Sequence, residues 1–176
     1  MDDDYAMIDR EKFFAQVRKD FGNLNQSQVD GFNKILDEWE RRGLTDLRWL
    51  GYMLATSWHE TACTMQPIQE RGSAQYLRNK PYWPYIGEGL VQVTWKRNYE
   101  KFGAKEPGDL LQWPLALKAL FDGMIDGLFT GMKLSRYFHD RYSNPVEARR
   151  IINGTDRANL IAGYYRHFMA ALGAKP

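Results

Sequence analysis

The sequence has 176 residues, close to the usual size of one domain and long enough to bury a hydrophobic core. Its 24 Lys and Arg residues nearly balance 22 Asp and Glu residues, and this net charge of +2 argues against nucleic-acid binding, which usually needs a concentrated basic surface. Cys63 is the single cysteine, which excludes an intramolecular disulfide and favours a reducing compartment.

The first six residues include three Asp, and we expect residues 1–6 to form a flexible acidic tail. They lack the basic and apolar regions of a signal peptide. No apolar run approaches the ~18 residues of a membrane-spanning helix, so we expect no stable membrane insertion. Because no repeat or low-complexity linker divides the chain, the sequence predicts a single domain over 1–176.

Apolar residues recur at helical spacing along the first third of the chain. The pattern predicts a helix over 13–21, a second over 29–39 that stops at Gly43, and a third over 47–60. Thr45 is the expected N-cap of the third helix, which ends near Glu60.

Residues 62–92 contain five helix-breaking residues, so we expect an irregular segment with short extended pieces such as 73–77. The breakers are Gly72, Pro81, Pro84, Gly87 and Gly89. Later helices are expected over 96–102, from Pro114, from Asn144, and from a Thr155 cap to Gly173. The sequence therefore predicts a mainly α fold with a small irregular or β segment among the helices.

Glu60 is the first candidate for acid chemistry. It lies at the negative end of a predicted helix and close to Trp58, and both the helix dipole and burial favour a protonated carboxyl group. A protonated acid can donate a proton to a leaving oxygen. The alternative is a solvated glutamate at a helix end, which the spacing alone favours.

Glu70 is the second candidate, because the adjacent Arg71 favours an ionised carboxylate. A protonated acid facing an ionised one is the pair that glycoside hydrolysis needs. The alternative is an ordinary surface pair of Glu70 and Arg71. Six aromatic residues crowd the same region and suit either sugar stacking or the core: Tyr76, Tyr82, Trp83, Tyr85, Trp95 and Tyr99.

Metal and cofactor chemistry find little support in the sequence. His59 lacks a second histidine four residues later, where Cys63 stands, so no zincin-type metal site is expected. The 87–89 segment, Gly-Glu-Gly, lacks the third glycine and the βαβ context of a dinucleotide site. We expect neither a metal nor a cofactor.

Three segments together resemble family 19 glycoside hydrolases, the chitinases, and their phage endolysin relatives. Trp-His-Glu-Thr at 58–61 resembles the family's His-Glu-Thr motif. Residues 85–95, followed by Asn-Tyr at 98–99, resemble its Tyr-x-Gly-Arg-Gly-x-x-Gln-Leu-Thr segment and the Asn-Tyr after it. Ile-Asn-Gly at 152–154 resembles a third motif, and the three fall in the family's order over roughly 45–172.

The resemblance implies a lysozyme-like helical fold with a cleft between two lobes. It implies that Glu60 is the general acid and that Glu70, on a following loop, is the general base. The mechanism would then invert the anomeric centre, with the two carboxyl groups more than ~6.5 Å apart. Glu88 stands where the family usually has arginine, so that arginine's role is lost, moved to Arg71 or Arg97, or replaced by a third carboxylate. Glu88 is therefore the alternative base.

The matched motifs also imply a set of substrate-binding residues: His59, Tyr85, Gln92, Thr94, Trp95, Asn98 and Asn153. The middle segment, 110–138, looks more like phage and prophage lysins than like plant enzymes. The resemblance therefore implies a monomeric hydrolase that cleaves β-1,4 bonds in bacterial peptidoglycan and lyses the host. It would wait in the host cytoplasm until a holin-type membrane lesion releases it. The alternatives are a chitinase, an inactive wall-binding module, which Glu88 favours, and a helical scaffold protein.

Overall fold

Helices form most of the structure, a computed structural model that describes residues 7–176. The expected acidic tail lies outside this range. The α-helices of the described chain are α1 Arg10–Phe21, α2 Gln26–Arg42, α3 Leu47–Glu60, α4 Ala74–Arg78, α5 Lys96–Lys101, α6 Trp113–Asp126, α7 Leu134–Tyr137 and α8 Ala158–Ala171. Two 3-10 helices cover Asp109–Leu111 and Glu147–Ile151. The strands are β1 Ile68–Gln69, β2 Glu88–Gly89, β3 Phe138–His139 and β4 Tyr142–Ser143.

The predicted start of α3 is wrong by one residue. Asp46, rather than Thr45, caps the helix, because its carboxylate accepts a hydrogen bond from the Arg48 backbone N–H at 3.1 Å and also pairs with the Arg48 guanidinium. The end of α2 is as predicted, with Gly43 in the left-handed conformation at φ 64°.

Three other local predictions differ from the structure. Residues 73–77 are mostly helical, because the Ser73 hydroxyl caps α4 by accepting from the Tyr76 N–H. The helix expected from Asn144 is the short 3-10 helix Glu147–Ile151, and the Asn144 side chain accepts from the Glu147 N–H at 3.1 Å. The last helix begins at Ala158 after Arg157 in a left-handed conformation, so Thr155 is not its cap.

The core fixes the end of α3. Residues Leu50–Trp58 of this helix are all buried, and α3 packs along α8. Gly51 permits the close approach, since a Cβ there would lie only 2.5 Å from the Met169 sulfur. Trp58 stacks on Phe32 at 5.9 Å between ring centroids. Glu60, two residues later, is therefore held by a rigid element.

Two short antiparallel strand pairs complete the fold. β1 pairs with β2, with Ile68 opposite Gly89, and brings the segment after α3 against residues 86–93. β3 pairs with β4 near the end of α7. Within residues 7–176, no helix is both long enough and apolar enough to span a bilayer.

Candidate active site

Glu60 contacts an arginine that was not predicted from the sequence. An Arg149 guanidinium nitrogen lies 2.9 Å from Glu60 Oε1, as a close ionic contact rather than an aligned hydrogen bond. The arginine side chain is only 3% exposed, whereas that of Glu60 is 16% exposed. Arg149 is held from behind, because its Nε donates to the Asp156 carbonyl at 2.8 Å. Glu60 therefore has one oxygen tied to a fixed cation and keeps partial access to solvent.

This ion pair changes the electrostatics expected from the sequence. Besides the negative end of α3 and the neighbouring Trp58, a guanidinium cation now lies 2.9 Å from the Glu60 carboxyl group. The arginine positions suggested by the sequence, Arg71 and Arg97, are both exposed, and Arg97 lies over the Trp95 ring at 5.9 Å. The arginine that contacts the candidate acid is Arg149.

Helices α3 and α7 carry buried hydroxyl groups. The hydroxyls of Tyr52 and Tyr137 and the Ser57 hydroxyl are buried without a hydrogen-bond partner in the described chain. Burial raises the pKa of Tyr52, and Arg149 opposes that shift while Tyr137 and Glu60 reinforce it. Tyr52 therefore lies in the same electrostatic environment as the Glu60–Arg149 pair and stays a neutral hydroxyl at physiological pH.

Glu70 is held as a hydrogen-bond acceptor. The Tyr82 hydroxyl lies 2.9 and 3.0 Å from its two oxygens, and the Gly87 N–H donates to Oε2 at 3.1 Å. Burial, followed by the hydrogen bond to Glu70, raises the pKa of Tyr82 to about 12, so Tyr82 keeps its proton and remains a donor. Glu70 is half-buried, so its carboxylate is oriented by the protein without being sealed from water.

Aromatic rings flank Glu70. The Tyr82 ring meets the Trp95 ring edge-to-face at 5.7 Å between centroids. Trp95 is 40% exposed and Trp83 is 44% exposed, which leaves ring surface open for an apolar sugar face. Tyr85 is half-buried against the Tyr99 ring at 5.2 Å. Of the six aromatics identified in the sequence, Tyr99 alone is fully buried.

Glu88 occupies a different environment from Glu70. It is fully buried, and its carboxylate accepts from the Gly108 N–H, the Leu110 N–H and the Gln69 amide at 2.9–3.0 Å. These contacts join β2 to the 3-10 helix Asp109–Leu111. A carboxylate enclosed in this way has no open side on which to hold a water molecule, which counts against Glu88 as the base.

Three of the predicted substrate-binding residues, Gln92, Thr94 and Asn98, line one small cavity of about 110 Å³. Ile152, the neighbour of the exposed Asn153, lines the same cavity, so the second and third motifs meet in space. The backbone of Gln92 has a positive φ of 55°. Its side-chain amide donates hydrogen bonds to the Ile68 and Gly89 carbonyls. Its described hydrogen bonds hold β1 against the 89–92 turn.

His59 is half-buried beside Glu60. Burial lowers the pKa of His59, while the neighbouring Glu60 opposes that shift. The imidazole is therefore neutral at pH 7 and can donate one hydrogen bond and accept another. Within residues 7–176, no three His, Cys, Asp or Glu side chains lie close enough together to hold a metal ion.

Comparison with known proteins finds similar solved structures and no similar sequence family. No protein-family model matches the sequence, and no curated protein is detectably similar to it. The crystal structure of a chitinase C variant, with glutamine in place of one glutamate, superposes with a TM-score of 0.59 at 17% identity. The match covers 99% of this chain and 97% of the other. The predicted mainly α, lysozyme-like fold class is confirmed, and this chain has the fold of that chitinase.

Proposed function

We propose that the protein is a glycoside hydrolase that cleaves β-1,4 bonds between amino sugars of bacterial peptidoglycan. One observation carries the proposal. On a fold shared with a chitinase, Glu60 lies at the end of α3 in a fixed ion pair, and Glu70 lies on the following loop, oriented by Tyr82 and Gly87. Two carboxylates in distinct environments are the machinery of this reaction.

In the proposed mechanism Glu60 protonates the leaving oxygen. The Arg149 guanidinium lies 2.9 Å from Glu60 Oε1, so we assign proton donation to the other carboxyl oxygen. Arg149 then stabilises the negative charge that Glu60 carries once the proton has left.

Glu70 would hold and deprotonate the attacking water on the opposite face of the sugar. Two donors, the Tyr82 hydroxyl and the Gly87 N–H, fix the carboxylate, and its half-buried position leaves it open to a water. This division of roles implies inversion at the anomeric carbon, with the carboxyl groups more than ~6.5 Å apart. Proton NMR of the first product released would show the inverted anomer.

Peptidoglycan is proposed over chitin because segment 110–138 resembles phage lysins. In that setting the protein acts as a monomer, gathers in the host cytoplasm and reaches the wall through a holin-type lesion. The structural match favours a second candidate, a chitinase acting on chitin itself. Both polymers present N-acetylated sugar chains, so the two candidates differ in substrate and not in the proposed chemistry.

Digestion of both polymers tests the proposal directly. The protein is incubated with purified peptidoglycan and with chitin, and the fragments are analysed by mass spectrometry after reduction. We expect new reducing ends at amino sugars in the peptidoglycan digest. Products from chitin alone would favour the chitinase, and intact polymers in both digests would favour the binding module.

Replacing Tyr82 with phenylalanine is expected to lower kcat about 10- to 100-fold, because a hydrogen bond to a charged group contributes ~1.5–3 kcal/mol. The variant removes the hydroxyl that bonds both Glu70 oxygens and keeps the aromatic ring. The matched control is Tyr164→Phe, which removes a hydroxyl from a half-buried tyrosine on α8. Equal kcat values for the Tyr82 and Tyr164 variants would show that Glu70 does not need this donor.

A further inference from the structure

A groove lies next to the 3-10 helix that supplies Arg149. Its volume is about 540 Å³, and it is bounded by α7, the β3–β4 hairpin and the 3-10 helix Glu147–Ile151. Arg136 and Arg150 line it together with His139, Tyr142 and Glu147. We call this feature the arginine groove. Neither Arg136 nor Arg150 has a part in the proposed acid–base chemistry.

The charge in the arginine groove is only partly compensated. Arg150 pairs with Glu147 at 2.5 Å, and His139 contacts Asp140 at 3.4 Å. Arg136 is in neither pair and is exposed. Among the side chains that line the groove, two arginines face one glutamate, which suits an anionic ligand near Arg136. Tyr142, 47% exposed and stacked on His139, adds an open aromatic surface beside this charge.

The groove and the candidate acid share one short element. A 3-10 helix has three residues per turn, so Glu147 and Arg150 project from one face and Arg149 from another. Arg149 on one face contacts Glu60, while Glu147 and Arg150 on the other face line the groove. Tyr137 also connects the groove with the surroundings of Glu60. It lines the groove, and its buried hydroxyl contributes to the raised pKa of Tyr52.

We infer that the arginine groove binds carboxylate groups of the peptide that hangs from alternate sugars of peptidoglycan, an inference that rests on the proposed function. A peptide of four residues reaches at most ~14 Å from its sugar, and the groove is lined by the same 3-10 helix that carries Arg149. Guanidinium groups bind carboxylates through two parallel hydrogen bonds. Chitin carries no such peptide, so the groove would favour peptidoglycan over chitin.

The test compares one glycan with and without its peptides. Peptidoglycan free of teichoic acid is used intact or after an amidase has removed the peptides. The double variant Arg136→Gln/Arg150→Gln is expected to lower kcat/KM on intact strands about 10- to 100-fold relative to stripped strands. Arg136→Gln alone, which breaks no ion pair of the groove, should lower the same ratio in the same direction. The control is Arg141→Gln, an exposed arginine in the hairpin turn.

An unchanged ratio in the double variant would overturn the inference, and so would an equal loss in Arg141→Gln, which would indicate general charge attraction. A binding measurement separates this outcome from failure of the proposed function. In a Glu60→Gln background, retention on surface-immobilised intact strands should exceed retention on stripped strands immobilised in the same way, and the double variant should remove the difference. Equal retention on both kinds of strand overturns the groove even where the unmutated protein hydrolyses the wall.

Discussion

Replacing Glu60 with glutamine is expected to reduce hydrolysis of peptidoglycan by about 10²- to 10⁴-fold, the usual contribution of a general acid. Glutamine keeps the shape of the side chain and cannot donate the proton that the leaving oxygen needs. The measurement is the rate at which a suspension of outer-membrane-stripped cells clears, with wall pelleting as the parallel test of binding. Clearing should disappear while pelleting survives.

The loss has to be separated from damage to the fold, because Glu60 is the ionic partner of the buried Arg149. Removing one member of a buried pair often lowers the free energy of unfolding by several kcal/mol. A thermal melting curve should therefore be measured for each variant together with its rate. Glu60→Asp provides a second variant that keeps the charge and withdraws the carboxyl group by one methylene, and it should still lose about 10²-fold. The matched control is Glu11→Gln on the exposed side of α1. Full clearing by Glu60→Gln would identify a different residue as the acid.

The helical frame was accessible from the sequence because long amphipathic helices carry a strong periodic signal. The apolar spacing of 29–39 and the glycine at 43 predict α2 closely, and the structure ends that helix at Arg42 with Gly43 left-handed. Position 60 at the end of α3 follows from the same reasoning. Short elements carry no such signal, and two-residue strands such as β1 and β2 cannot show any alternation.

Arg149 shows what the sequence could not reveal. It lies 89 positions after Glu60 (149 − 60), within a basic pair that resembles any solvated surface segment. The 3-10 helix Glu147–Ile151 packs against α7 and α8, and in this arrangement Arg149 is almost fully buried and reaches Glu60. A tertiary contact of this kind leaves no trace in local periodicity. The clue in hindsight is its position just before the Ile-Asn-Gly motif.

Glu88 differs from Arg149, because the sequence did draw attention to it. The sequence suggested a catalytic role for Glu88, whereas its contacts in the structure favour a structural one. A carboxylate at the position of a family arginine suggests a changed cleft charge. In the structure, the same carboxylate is buried and accepts hydrogen bonds from the backbone N–H groups of Gly108 and Leu110. Nothing in the 87–89 segment identifies those donors, because they come from a loop some twenty residues later. We propose a structural role for Glu88 and retain Glu70 as the base.

That assignment predicts a large loss of stability in Glu88→Ala. Truncation leaves the Gly108 and Leu110 N–H groups without an acceptor, and each unsatisfied buried group costs ~1–3 kcal/mol. We expect the free energy of unfolding, measured by urea denaturation, to fall by about 3–5 kcal/mol. The control is Glu106→Ala, which replaces an exposed glutamate in the same loop. This substitution should change the free energy of unfolding by less than about 0.5 kcal/mol.

Glu88→Gln distinguishes a structural role from a catalytic one. Glutamine fits the same space and keeps one oxygen for the two N–H groups, so the fall in unfolding free energy should be about 1–2 kcal/mol. A structural Glu88 then leaves kcat nearly unchanged at a temperature well below the melting transition. A base at this position would instead give a protein that melts like the unmutated one and no longer hydrolyses peptidoglycan. Because the carboxylate is enclosed by protein donors on both oxygens, the first result is the expected one.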